Sequence, residues 1–247
     1  MRFLFTFLVT LIATSAPAYA ETEFLNEGQL SCLLEPSKEI ELSSEVAGVI
    51  SKLSLGRGDQ VKKGQVVMSL SSKVERAALA TSRARVEFAK RKVKRNEVLY
   101  KKGLLSDHER DEMLTEQRLA ELTASEAYVR LKQRETKSPI SGVVVERFLD
   151  PGELVDDEPF IKIVSLDPLQ AEVVMRAQYY GQVEKGMAVT LFPEGRFNKP
   201  YEGKVHRVDP LIDAASGTFA IRVEVPNKDQ RLPAGLKCRI EFASVSE

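Results

Sequence analysis

The chain has 247 residues, 43% of them hydrophobic, with 36 Lys and Arg set against 36 Asp and Glu. The even charge balance argues against a nucleic-acid partner, which would select a basic excess, and the length suits one sizeable core or two to three small modules. The two histidines, two cysteines and absence of tryptophan leave little material for a metal centre and exclude a cysteine-rich scaffold.

The chain opens with Arg2 and an almost wholly apolar run from Phe3 to Ala13, followed by Ala18-Tyr19-Ala20. This is the charged, apolar and small-x-small order of a Sec signal peptide, read as residues 1–20 with cleavage after Ala20. The apolar run is too short to span a bilayer, which takes about 20 residues. The mature protein is therefore expected to be exported and soluble. Cys32 and Cys238 lie near opposite ends of it. Two readings stand for them: a disulfide formed in an oxidising compartment, or two buried free thiols. The disulfide is the favoured reading because the two terminal segments can share one sheet. Closing so long a loop would remove about 4–5 kcal/mol of unfolded-state entropy in the chain-entropy model.

Next comes an internal repeat. Residues 48–61 (GVISKLSLGRGDQV) align without a gap to residues 142–155 (GVVVERFLDPGELV). Gly48, Val49, Leu55, Gly58 and Val61 match Gly142, Val143, Leu149, Gly152 and Val155. Each copy reads as short strands punctuated by turns. Gly48, Gly58, Gly64, Gly142 and Gly152 are the expected turn positions, where glycine supplies a positive φ. Two such halves, 38–72 and 137–165, bury little alone and are expected to pack face to face as a small β-sandwich.

Residues 73–136 separate the halves. Val74 to about Lys101 and Asp107 to about Arg134 are rich in helix formers and free of Pro and Gly. Small and apolar residues at heptad-like steps predict a narrow seam on each helix. For the first helix it reads Leu70, Val74, Ala77, Thr81, Ala84, Phe88 and Val98, with Arg91 and Arg95 in register. In the second it reads Met113, Gln117, Ala120, Ala124, Ala127 and Leu131. Gly103 is placed to end the first helix, and Ser106 with Glu109 forms a capping box for the second. So short a joint makes the helices antiparallel, and about 28 residues each gives a rod of about 42 Å.

From Leu169 onward the pattern returns to short alternating strands, expected to form a small barrel or sandwich. Chemistry-bearing motifs are absent from the sequence. His108, His206 and the methionines Met68, Met113, Met175 and Met187 have no ligand spacing, and no phosphate loop, HExxH or nucleophile elbow occurs. No cofactor, metal or catalytic site is expected. A lipoyl or biotinyl carrier would need a modifiable lysine on a tight hairpin where this chain places the long insertion.

These residues resemble the periplasmic adaptor subunits, or HlyD-like membrane fusion proteins, of RND-type and related efflux pumps. Val46-Ala47-Gly48-Val49-Ile50 with Gly58-Asp59-Gln60-Val61-Lys62-Lys63-Gly64 is similar to the first half of that family's lipoyl-like domain. Ser138-Pro139-Ile140-Ser141-Gly142-Val143-Val144 with Pro151-Gly152-Glu153-Leu154-Val155 is similar to the second. Gly203-Lys204-Val205, Val208-Asp209-Pro210, Ile221 to Asn227 and Leu232-Pro233-Ala234-Gly235-Leu236 look like its β-barrel. The resemblance implies a mainly β chain with a long α-helical hairpin: a lipoyl-like (barrel-sandwich hybrid) domain split by an antiparallel coiled-coil hairpin, followed by a small β-barrel. The barrel is expected over 166–247 with a short N-terminal strand from 21–37. A full membrane-proximal domain is not expected. Arg95, Leu99 and Ser106 match the Arg-x3-Leu-x6-Ser of adaptors that dock on a TolC-like outer-membrane channel. The implied role is a non-catalytic periplasmic link between that channel and an inner-membrane RND-type transporter, held in a hexameric ring. An ABC exporter or type I secretion system is the alternative transporter partner.

Overall fold

A computed structural model describes residues 30–197 and 199–242. The expected signal peptide and the expected strand residues before Leu30 lie outside these. In chain order the elements are β1 (Leu30–Leu42), β2 (Gly48–Leu53), β3 (Gln60–Val61), β4 (Val66–Leu70), α1 (Lys73–Lys101), α2 (Asp107–Lys132), β5 (Glu135–Lys137), β6 (Gly142–Arg147), β7 (Leu154–Val155), β8 (Ile161–Arg176), β9 (Ala188–Pro193), β10 (Tyr201–Val208), β11 (Thr218–Val225) and β12 (Lys237–Phe242). The described residues form two compact units, one of residues 36–168 and one of residues 30–35 with 169–242.

In the first unit the repeat folds by exchanging strands between its copies. β2 of the first copy pairs with β7 of the second, Gly48 opposite Val155, and β3 of the first pairs with β6 of the second, Val61 opposite Gly142. The turns repeat the exchange. The Gly58 amide donates to the Val144 carbonyl at 2.8 Å, and the Gly152 amide donates to the Ile50 carbonyl at 2.8 Å. Asp59 accepts from the Gly56 amide and Glu153 from the Asp150 amide, so each turn is closed by an acidic side chain three residues on. Ile50, Val61, Leu70, Val144, Val155, Phe160 and Ile163 fill one core. Neither half can bury these residues alone, so the hydrophobic gain arrives only when the halves combine.

Four of the expected turn glycines have positive φ: Gly58, Gly64, Gly103 and Gly152. Gly48 and Gly142 do not, and this corrects their reading as turns. They open β2 and β6, and they are glycine because another part of the chain occupies the Cβ position. A Cβ on Gly142 would overlap the Val164 carbonyl oxygen, and one on Gly48 would lie 2.8 Å from Arg134 Nη1.

α1 and α2 are inserted between β4 and β5 of the sandwich and pack chiefly on each other. The α2 seam runs where the spacing places it, with Met113 buried and Gln117, Ala120, Ala124, Ala127 and Leu131 half-buried. The α1 seam does not. Its buried residues are Leu79, Ser82, Val86 and Ala89, while Val74, Phe88 and Val98 are 77%, 53% and 54% exposed. α1 carries two rows with the same steps, and the polar groups at its ends select the inner one. Glu75 pairs with Arg134 at one end, and Tyr100 bonds Asp107 at the other. Ion pairs between the helices flank the seam: Lys92–Glu116 at 2.6 Å, Arg110–Glu97 at 3.5 Å and Lys90–Glu121 at 3.7 Å.

The second unit is a closed barrel of six strands in the order β1-β12-β9-β10-β11-β8, with β1 pairing back to β8. Strict alternation along β11 turns Phe219, Ile221, Val223 and Val225 inward, opposite Met175, Val173, Ala171 and Leu169 of β8. Buried Asn227 donates to the Leu232 carbonyl at 2.9 Å and accepts from its amide at 3.1 Å, fixing the loop before β12. Cys32 and Cys238 face each other across β1 and β12 and are joined in a disulfide that closes 206 residues of chain. Replacing both cysteines with alanine is expected to cost about 2–5 kcal/mol, mainly by freeing the unfolded chain. Denaturant unfolding of the two forms checks this.

Candidate functional site

The far end of the hairpin is held by backbone and side-chain caps. Gly103 takes the left-handed conformation at φ 70°. Its amide donates to the Tyr100 carbonyl at 2.9 Å, and the Leu104 amide donates to the Leu99 carbonyl at 3.0 Å. These two bonds make a Schellman motif that satisfies the last carbonyls of α1. Three residues on, Ser106 caps α2. Its hydroxyl accepts from the Glu109 amide at 3.2 Å and donates to Glu109 Oε2 at 2.7 Å, while Glu109 accepts the Ser106 amide at 2.9 Å. The Ser106 hydroxyl proton and one of its two lone pairs are therefore used within the chain.

A second set of contacts crosses from α1 to α2. Tyr100 Oη donates to Asp107 Oδ1 at 2.7 Å, and the Arg110 guanidinium lies 4.7 Å from the centre of the Tyr100 ring. The hydrogen bond to Asp107 and its charge raise the Tyr100 pKa, so the phenol keeps its proton. Tyr100→Phe is expected to speed amide exchange across residues 103–107 without moving the global unfolding midpoint, as read by hydrogen exchange and thermal melting.

The Glu109 carboxyl titrates below the ordinary range, first because of the Ser106 amide and then because of the Ser106 hydroxyl. A lowered folded-state pKa stabilises above the unfolded value, about 4.3 for Glu, and loses that contribution as pH falls through the folded value. Acidification below about pH 4 is thus expected to fray the first turn of α2. Ser106→Ala should cost about 1 kcal/mol by removing the cap at any pH.

The capped turn displays apolar surface. Leu99 is 41% exposed and Leu104 70% exposed. Arg95 is exposed one turn before Leu99. The structure thus brings Arg95 and Leu99 to one stretch of the tip, with Ser106 beside them in a capping role. The sequence reading missed Leu104, and a signal for it was present: a large apolar residue directly after the left-handed glycine of an exposed turn. His108 lies on the first turn of α2, and His206 lies on β10, where its Nδ1 is 3.6 Å from Glu224. Among the described residues no three of His, Cys, Asp and Glu gather as a metal-binding group. No described helix is long and apolar enough to cross a membrane.

Comparison with known proteins agrees with this architecture. The CzcB-like barrel-sandwich hybrid domain matches residues 38–165, and the CusB-like β-barrel domain matches residues 169–246. The solvent efflux pump periplasmic linker SrpA of Pseudomonas putida is 24% identical over 214 residues, covering 79% of this chain and 56% of the relative. The nodulation protein NolF of Rhizobium meliloti (strain 1021) is 24% identical over 233 residues, covering 87% of this chain and 62% of that protein. The chain thus spans little more than half the length of the curated relatives it matches. A MacA-MexA chimera carrying the Pseudomonas aeruginosa MexA α-hairpin domain superposes with a TM-score of 0.75 at 19% identity, covering 87% of this chain and 80% of the chimera. The membrane fusion protein Spr0693 from Streptococcus pneumoniae R6 gives a TM-score of 0.71 at 19% identity, covering 89% and 100%. With both domain models matched in order and the helical hairpin set between the halves of the first, the chain belongs to the membrane fusion proteins, the family with CzcB-like barrel-sandwich hybrid and CusB-like β-barrel domains.

Proposed function

We propose that this protein works in the periplasm as the adaptor of an export complex, joining an inner-membrane RND-type transporter to a TolC-like outer-membrane channel. The observation that carries the proposal is the split sandwich. Its two halves share one core, and the helices inserted between them run about 43 Å to a capped, apolar tip. A rod of that length fits bridging, since helices that pack chiefly on each other add no core to the sandwich that bears them. Arg95, Leu99 and Leu104 form the channel-facing contact. Leu99 and Leu104 supply the apolar anchors, and the Arg95 guanidinium is suited to carbonyl or carboxylate acceptors. Ser106 serves docking by holding the turn. The barrel engages the transporter, and several copies form a ring around the exit path. Efflux pump linkers among the relatives support this reading.

Affinity capture of the tagged mature chain from detergent-solubilised envelopes tests the proposal. An RND transporter and an outer-membrane channel should co-purify. Recovery of an ABC exporter in place of the RND transporter would select the alternative partner, and recovery of neither membrane protein would contradict the adaptor role.

A further inference from the structure

One side chain spans the root of the hairpin, where β5 pairs with β4. Arg134 follows the end of α2. Its Nη2 lies 2.7 Å from Glu75 Oε1, in the first turn of α1. Its Nη1 donates to the Ala47 carbonyl at 2.9 Å, just before β2. Its own carbonyl accepts the Leu70 amide of β4 at 2.8 Å. A single residue therefore ties the start of one helix and the exit of the other to two neighbouring strands of the sandwich. The Arg134 and Glu75 side chains are only 23% and 16% exposed, so solvent screens the pair less than the ion pairs along the rod. Gly48 completes the seat, because a Cβ there would stand 2.8 Å from Arg134 Nη1.

Apolar packing does not make the same connection. Beside Arg134 a groove of about 450 Å³ lies open, bordered by Val46, Val74, Ala78, Ser82, Thr123 and Ala127. Val74 is 77% exposed. Small and exposed side chains there leave the helices room to tilt at the root. The lever is long: a tilt of about 10° moves the end of a rod of about 43 Å by about 7 Å, more than the reach of a side-chain contact.

We propose that Arg134 is a positioning residue that sets the angle of the hairpin on the sandwich, and so places the tip. The planar guanidinium reaches the carboxylate and the carbonyl at once through separate nitrogens, which a lysine ammonium does less well. The consequence for export rests on the docking reading above, but the angle itself does not. The test is therefore made on the purified mature protein without partners.

Spin labels at Lys102→Cys on the tip and Lys52→Cys on β2 report the tip-to-sandwich distance by pulsed electron resonance. In the parent the distribution should be narrow. Arg134→Ala and Glu75→Gln should broaden it by several Å, Arg134→Lys should fall between, and Gly48→Ala should broaden it by displacing the guanidinium. Thermal melting should show all variants folded, and any that does not fold leaves Glu75→Gln to decide. A distribution as narrow as the parent's in Glu75→Gln and in the folded Arg134→Ala would overturn the assignment. Broadening in the isolated protein with export unchanged would keep the positioning role and count against the docking reading instead.

Discussion

If the proposed adaptor role holds, Leu99→Asp is expected to abolish export, while the unfolding midpoint stays at the parent value. Leu99 is 41% exposed at the tip and contributes to no buried core, so the folded monomer tolerates a carboxylate there. The docked state does not, because the same carboxylate would lose water without gaining a partner. Apolar anchors at the centre of an interface are commonly worth about 2–4 kcal/mol, which is about 30- to 1,000-fold in affinity. Leu104→Asp, at 70% exposure, should behave alike, and Arg95→Asp should fail through reversed charge. Ser106→Ala separates the two roles at the tip: a small stability loss with export largely retained, because its hydroxyl already bonds Glu109. Export by the complex, read beside thermal melting of each purified variant, distinguishes these outcomes.

Gly142→Ala is expected to be the most damaging single change to the fold. The added Cβ would overlap the Val164 carbonyl oxygen and stand 2.8 Å from its carbon, both backbone atoms. Val164 is paired with Val143, so it cannot move without opening the β6–β8 ladder. On the other side Gly142 pairs with Val61, which anchors the first half of the repeat to the second. A cost of about 3 kcal/mol or more follows from overpacking against immobile atoms. Denaturant unfolding should show a lowered midpoint, and the variant should be cleaved by proteases faster than the parent. Gly58→Ala tests a different mechanism. Nothing lies within 4 Å of a Cβ there, and the cost arises from φ of 92° alone. It should be milder, about 1 kcal/mol or somewhat more.

The two glycines also show where the sequence was legible and where it was not. The repeat was visible because both copies must satisfy the same turns, so Gly58 and Gly152 recur with the acidic residue that closes each one. The exchange of strands between copies was not visible, because similar halves pair equally well in sequence terms with themselves or with each other. Gly48 and Gly142 were read as turns because glycine marks turns more often than close approaches, and what they approach, Arg134 Nη1 and the Val164 carbonyl, is set by tertiary packing that spacing does not report. In α2 a single row of small residues left no choice of seam. In α1 two rows have the same spacing, and large apolar residues occur on both, Leu79 and Val86 on the inner and Phe88 on the outer. The inner row is selected by Glu75 and Tyr100, whose partners Arg134 and Asp107 are brought together only by the folded hairpin. At the tip, the capping box of Ser106 and Glu109 was readable from spacing because its contacts are local. The exposure of Leu104 depends on how the turn is closed, which spacing alone does not report.

Placing a photo-reactive residue at position 102, beside the capped turn, and another at position 52, on the sandwich, puts the whole account to one trial in living cells. Illumination should yield an adduct between this protein and an outer-membrane channel from position 102 and none from position 52. Export-competent cells that give no channel adduct from the tip, or give it from the sandwich, would contradict a hairpin that reaches the channel end-on.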